Sequence, residues 1–449
     1  LSVVSSAVRS TPVATSLPTT LVCSACGFSA AASELPLRCP RAVAGDDIDH
    51  LITRRLDTSG LTWPAGSEAN PFVRYRTLFH AYHVARARGW SDAEVIAEIE
   101  RLDAAVASVD GHGFRTTPLR ALRGLAGTLV KDETGNVAGS HKARHLFGVL
   151  LSLRLAGADD PSRPLAIASC GNAALAAATV ARAAGRELHV FVPTDADEVV
   201  IERLSHLGAL ITVCERRPAE HGDPTVLRLR EALAAGALPF TCQGSENGLA
   251  IEGGLTLGYE LADQLRAGAR QLDHLFVQVG GGALASAMIQ ALQEARALGA
   301  LERMPRVWAV QTANTHPLAR AYNVLAGRIA DGSSIDAALA WAGHHRSACM
   351  WPWTPTPHSV AGGILDDETY DWRAVVAGLL TSGGRPVLVG ENELLEANHY
   401  ARAQSGIEVD VTGSAGLAGL LAVRRSGEIQ ATETGVVLFT GVRRAGGPS

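Results

Sequence analysis

The chain has 449 residues, of which 47% are apolar and 19% charged, and its formal net charge is −5. That make-up belongs to an ordinary soluble globular protein with room for two or three domains, and it excludes a disordered chain. The acidic balance argues against dedicated nucleic-acid binding, and no apolar run approaches the roughly 20 residues of a membrane helix.

The first twenty residues, rich in Ser, Thr and Val, read as a flexible tail, not a signal peptide, because no continuous apolar stretch interrupts them. Seven cysteines are sparse and odd in number for this length, which points to a reducing cytoplasm and no disulfide scaffold. Cys23-Ser-Ala-Cys26-Gly27 followed by Arg38-Cys39-Pro40 is how a zinc ribbon begins. No fourth cysteine follows, and His50 would substitute only at loose spacing. We therefore expect no metal, with Cys23, Cys26 and Cys39 in a degenerate ribbon. Residues 70–108 read as helix, with Ser91-Asp-Ala-Glu94 as a capping box. Thr117-Pro118-Leu119 reads as a turn.

The next stretch, Val137-Ala-Gly-Ser140-His141-Lys142-Ala143-Arg144, feeds an apolar helix that runs from Lys142 to about Leu155. Leu146, Val149, Leu150 and Leu153 recur at helical spacing, and Ser140 is placed to cap the start. Lys142 is one of two lysines set against 38 arginines. Arginine carries surface charge equally well but never forms a Schiff base with a carbonyl. At a first helical turn the dipole favours the neutral, nucleophilic amine. Lys131, the other lysine, reads as an ordinary residue on a solvated face.

Beyond this helix, strand, loop and helix alternate, which means parallel sheet with crossover helices. The strands are Leu165–Ala168, Leu188–Val192, Ala209–Val213, Leu275–Val279, Val307–Val310, Pro386–Val389 and Val436–Phe439. Residues 345–358, with Trp351, Trp353, Pro355 and Pro357, look like an ordered loop. Two loops follow a strand and open a helix, so both are suited to anions. Ser169-Cys170-Gly171-Asn172-Ala173 offers a hydroxyl, an amide and a helix N-terminus, a good carboxylate clamp. Gly280-Gly281-Gly282-Ala283 lets the backbone wrap a phosphate, because no Cβ blocks its approach. Without Lys-Ser/Thr after it, this is not a nucleotide P-loop.

Four segments in this order resemble the fold-type II pyridoxal-phosphate (PLP) enzymes, the group of threonine synthase, serine/threonine dehydratase and tryptophan synthase β. They are Thr117-Pro-Leu with the Ser140-His-Lys142 motif, Ser169 to Asn172, Gly280 to Ala283, and Asp410-Val-Thr412-Gly-Ser-Ala. The resemblance covers roughly three quarters of the chain, and Asn247 to Gly254 adds a further similar stretch. It implies an α/β architecture of two doubly wound domains with parallel-rich sheets, plus the small N-terminal ribbon-like element. Domain limits follow as 1–50 (tail and ribbon), 51–164 and 249–449 (large, cofactor-binding domain) and 165–248 (small domain).

The same resemblance implies PLP on Lys142, with His141, Asn172, Gly280, Gly281, Gly282, Ala283 and Thr412 around the cofactor. Ser169, Cys170, Gly171, Asn172 and Ala173 would hold the substrate carboxylate. Thr412 would face the pyridine nitrogen. A neutral hydroxyl there makes the ring a weaker electron sink than a carboxylate would, which disfavours transamination and suits expulsion of a β-leaving group. His141 stands where the family commonly has Phe, so it puts a titratable ring beside the cofactor.

The reading reached is β-elimination from a β-hydroxy amino acid (threonine, serine or an aryl-serine) to a 2-oxo acid and ammonia. The triple glycine favours it, as does Ala143, where threonine synthases usually carry Asp. Threonine synthase is the alternative, supported by the ribbon-like N-terminus; a β-replacement synthase and a PLP-binding protein without turnover are the others. The expected setting is a cytoplasmic homodimer with a small-molecule amino acid substrate, no nucleic acid and no membrane.

Overall fold

Residues 17–32, 34–354 and 357–444 are described by a computed structural model. An antiparallel pair, β1 (Thr19–Cys23) and β2 (Ile52–Leu56), forms the N-terminal element. Thr19 and Thr20, expected in a flexible tail, are the first residues of β1, and Thr19 is anchored by a 2.9 Å hydrogen bond between its hydroxyl and His80 Nδ1. Residues 1–16 of that expected tail, and Pro355 of the expected tryptophan loop, lie outside the described residues.

The remaining strands are β3 (Leu119–Ala121), β4 (Thr128–Asp132), β5 (Leu165–Ala168), β6 (Leu188–Pro193), β7 (Leu210–Cys214), β8 (Leu238–Pro239), β9 (His274–Gln278), β10 (Arg306–Thr312), β11 (Arg385–Val389) and β12 (Gly435–Phe439). They form a four-stranded parallel sheet ordered β7-β6-β5-β8 and a six-stranded sheet ordered β11-β10-β9-β12-β4-β3. In the larger sheet only β3 runs antiparallel. Three of its four inner strands, β4, β9 and β12, are buried along their whole length, as strands covered by helices on both faces are.

Strand β4, Thr-Leu-Val-Lys-Asp, was not expected, and it corrects the reading of Lys131. That lysine is fully buried, not solvated. Its Nζ lies 2.6 Å from Glu260 and 2.7 Å from the Thr117 carbonyl. Arg144, also buried, reaches Glu133 and Glu260 at 2.7 Å each. Two cations thus meet two carboxylates with their hydrogen-bonding capacity largely used, the condition under which buried charge is tolerated.

The expected helix over 70–108 is broken into Pro71–Arg74, His80–Ala87 and Asp92–Asp110, with a 3-10 turn at Arg76–Leu78. Asn70 caps the first piece, the Ser91–Glu94 capping box starts the last, and Arg76 bridges to Asp92 at 2.7 Å. The helix Lys142–Leu155 has its expected limits. It crosses the helix Ala250–Ala267 backbone to backbone. A Cβ on Gly148 would lie 2.5 Å from Gly253 Cα, and one on Gly253 would overlap the Arg144 carbonyl. Small residues at this crossing fix how deep the first turn, and therefore Lys142, sits.

Of the tryptophan loop, Trp351 and Trp353 both lie against the Arg320 guanidinium, at 4.0 and 4.6 Å. No helix among the described residues is long and apolar enough to cross a membrane.

Candidate active site

Strands β4, β12 and β9 are neighbours, and their carboxyl ends deliver three loops to one edge of the sheet. The loop after β4 leads to Lys142, the loop after β9 is the triple glycine, and Thr440-Gly441 follows β12. Ligands of open α/β sheets collect at such an edge.

Ahead of Lys142 the chain turns through Ala138 in the left-handed region (φ 54°), held by its N–H to Asp110 at 3.1 Å and its carbonyl to Arg444 at 2.8 Å. Ser140 does not cap the helix as expected. The helix has no side-chain cap, and the Ser140 Oγ is buried with no partner. Lys142 is the first helical residue and partly exposed.

His141 is buried and donates from Nδ1 to the Thr440 carbonyl at 3.1 Å, leaving Nε2 unpartnered. Burial, and then the Lys142 charge, push its pKa well below the ordinary value. His145, edge-on to it at 5.7 Å, is lowered to about 3 by burial and by Lys142. Both rings are neutral at pH 7. His141 therefore brings a lone pair, not a charge, to the amine's surroundings.

Gly282 caps the helix Ala283–Ala297 at φ 96°, a conformation that favours glycine. A Cβ on it would press the Thr369 methyl at 2.9 Å, and one on Gly280 would overlap the Asp366 carboxylate. The segment Ala361–Asp371 lies over the loop. Thr369 donates to the Gly280 carbonyl at 2.9 Å, and the Asp371 N–H donates to the Gly281 carbonyl at 3.0 Å. Burial raises the Asp366 pKa, while the Lys142 charge and the Gly281 N–H lower it. The Asp366 carboxyl group thus lies directly against the glycine loop.

The same segment reaches Thr412, whose Oγ1 accepts from the Gly363 N–H at 3.1 Å. Thr412 is the second residue of the helix Val411–Arg425, capped by Asp410. Asp410 also accepts from the Asn172 amide at 3.5 Å, and Arg444 donates to the Asn172 Oδ1. Asn172 is the first residue of the helix Asn172–Ala183 and follows Ser169, Cys170 and Gly171, all partly exposed, as is Ala173. The Ser169 hydroxyl accepts from the Gly171 N–H at 3.4 Å and caps no helix. Burial raises the Cys170 pKa, helped by Asp195, Asp223 and Asp366, so the thiol stays protonated.

Gly280–Gly282, Thr412 and Asn172 are joined through the Ala361–Asp371 segment and Asp410, and the Lys142 charge acts on Asp366 in that segment. Sequence reasoning missed Asp366, Asp371 and Arg444; a pair of glycines at 362–363 ahead of three acids was the available signal for the first two. These groups fit PLP. The glycine loop opens a helix and has no room for a Cβ, Lys142 offers an amine, and Ser140 and His141 hold buried polar atoms that lack partners in the protein.

The family model "Pyridoxal-phosphate dependent enzyme" matches residues 112–441. The chain belongs to this family. Pyridoxal 5'-phosphate is its cofactor, and the fold is that of fold-type II PLP-dependent enzymes. Among curated relatives, the threonine synthase of Methanosarcina acetivorans is 25% identical over 319 residues, spanning 71% of this chain and 70% of its own length. That of Mycobacterium tuberculosis is 24% identical over 341 residues, spanning 72% and 83%. Among solved structures, maize serine racemase superposes with TM-score 0.56 at 19% identity, covering 78% of this chain and 94% of its own. The processed form of threonine deaminase isoform 2 from Solanum lycopersicum gives TM-score 0.55 at 16% identity, covering 80% and 92%.

Cys23, Cys26 and Cys39, expected to be no metal site, lie together with His50, the four ligand atoms being within 4.8 Å of one another.

Proposed function

We propose that this PLP-dependent enzyme eliminates the β-hydroxyl of an amino acid such as threonine, serine or an aryl-serine, yielding a 2-oxo acid and ammonia. The observation that carries the reading is the charge around the substrate loop. The charges acting most on Cys170 are the carboxylates Asp195, Asp223 and Asp366. Asp367 beside them is raised to about 6 by burial and by its acidic neighbours Glu368, Asp223 and Asp366. Carboxylates acting on this loop would repel a phosphorylated side chain more than a neutral hydroxyl.

Bound PLP supplies the electron sink at the substrate's α-carbon. Lys142 would hold it and would serve as the base for the α-proton. The N–H groups opening the helix at Asn172 hold the substrate carboxylate. Thr412 offers the ring nitrogen a neutral partner. In this reading residues 51–164 and 249–449 form the cofactor domain and 165–248 the small domain. We place the enzyme as a homodimer in a reducing cytoplasm, consistent with seven free cysteines.

Threonine synthase is the second reading, favoured by the names of the curated relatives. Purified protein offered a panel of β-hydroxy amino acids and O-phosphohomoserine decides between them. Oxo acid and ammonia from the panel support elimination; threonine and phosphate from O-phosphohomoserine transfer the assignment. Lys142→Ala is expected to lose the visible band of the bound cofactor and its fixation by borohydride, and a band surviving in that variant would remove Lys142 from the site.

A further inference from the structure

We propose that the N-terminal element is a zinc site made by Cys23, Cys26, Cys39 and His50, with Asp46 orienting the imidazole. A tetrahedral zinc ion, with Zn–S about 2.3 Å and Zn–N about 2.0 Å, sets its ligand atoms roughly 3.5–3.8 Å apart. The structure gives 3.6 Å between the Cys26 and Cys39 sulfurs and 3.6 Å between the Cys23 sulfur and His50 Nδ1. All four ligand atoms lie within 4.8 Å of one another.

Cys23 ends β1, the turn 24–27 returns Cys26 beside it, and the turn at residues 39–42 presents Cys39. His50 stands two residues before β2, opposite the end of β1. The spacing that looks loose along the chain is closed by this pairing.

Two further observations point to a metal. His50 turns its other nitrogen, Nε2, to the Asp46 carboxylate at 3.0 Å, the outer partner that zinc-bound histidines commonly have. Nδ1 is thereby left toward the sulfurs. The element's apolar cluster also holds little besides the cysteines: Leu21, Ile52 and Leu249 join Cys23 and Cys39 as its buried members. A module with so small a core needs a cross-link to hold one shape. On binding, the three thiols give their protons to solvent and the neutral imidazole keeps the one on Nε2, so Zn²⁺ with three thiolates carries net charge −1.

The site also reaches the cofactor end of the molecule. Asp49, next to His50, accepts from Trp372 Nε1 at 3.0 Å and from Arg373 at 3.3 Å. Trp372 follows Asp371, which lies against the glycine loop. The metal would thus fix the turn that ties down the start of the helix Trp372–Ser382.

The test is metal analysis of the full-length protein, purified without chelator from zinc-supplemented cells. One zinc per chain is expected, at least tenfold less in Cys26→Ser and Cys39→Ser, and a reduced but measurable amount in Asp46→Asn. Cobalt in place of zinc should show the visible bands of a tetrahedral sulfur-rich site. Zinc below a tenth of an equivalent in folded wild-type protein overturns the proposal, as does a Cys26–Cys39 disulfide in freshly purified protein or an equivalent of iron in place of zinc. None of these readouts depends on bound PLP or on turnover.

Discussion

At Asp371 the carboxylate is buried, with no side-chain partner, beside the glycine loop. Burial and the nearby Asp49 raise its pKa to about 7, offset only in part by Lys142 and the Gly244 N–H. A carboxyl whose folded pKa exceeds its unfolded one stabilises the fold below about pH 4, and that contribution is lost as pH rises through about 7. Between pH 5 and pH 8 the wild type should therefore lose about 3 kcal/mol relative to Asp371→Asn, read from urea unfolding at both pH values. Parallel stabilities in the two proteins would mean that Asp371 titrates normally.

Asp366 lies against the glycine loop that we propose to hold the cofactor phosphate. Asp366→Asn should tighten PLP binding about fivefold by removing that like charge, measured by titrating apoprotein. Lys131→Arg is a control with a different outcome. It lengthens a side chain in a filled charge network, so stability should fall by about 1–3 kcal/mol while the folded fraction still attaches PLP through Lys142.

Among the elements, the crossing at Gly148 and Gly253 sets the position of the lysine. Gly253→Val would drive a side chain into the Arg144 carbonyl and lift the Lys142 helix off its neighbour. The expected cost is about 3 kcal/mol or more, with PLP occupancy falling alongside, seen by calorimetry and by cofactor absorbance on one preparation. The same element shows what the sequence could and could not disclose. Strands β5, β6, β9 and β12 announce themselves as short apolar runs, and the Lys142 helix as a 3.6-residue pattern, because burial alone shapes them. Strand β4 hides, since Lys131 and Asp132 look like surface residues until Glu260 is seen 129 positions away. The glycine loop was legible because Gly282 has a positive φ and Gly280 and Gly282 pack too closely against Asp366 and Thr369 for a Cβ. The Ala361–Asp371 segment was not, having no periodicity and meaning only against the glycine loop it covers.

Across the whole molecule, the proposed substrate loop and the proposed cofactor anchors belong to different sheets. Ser169–Ala173 follows β5 of the four-stranded sheet, whereas Lys142, Gly280–Gly282 and Thr412 surround the six-stranded one. A substrate held at both its carboxylate and its amine joins the two. An unreactive amino acid such as L-alanine should therefore slow amide exchange at residues 169–176 and 361–371 in the PLP-loaded enzyme, without change in the helix Asp92–Asp110. Exchange unaltered in both segments would mean that the two bodies are already locked.

The scarcity of lysine has a practical corollary. With Lys131 sealed inside the protein, Lys142 is the one reachable lysine side chain in this sequence for an amine-selective reagent. Acylation at that position becomes an occupancy gauge, since a cofactor already attached shields the nitrogen from labelling.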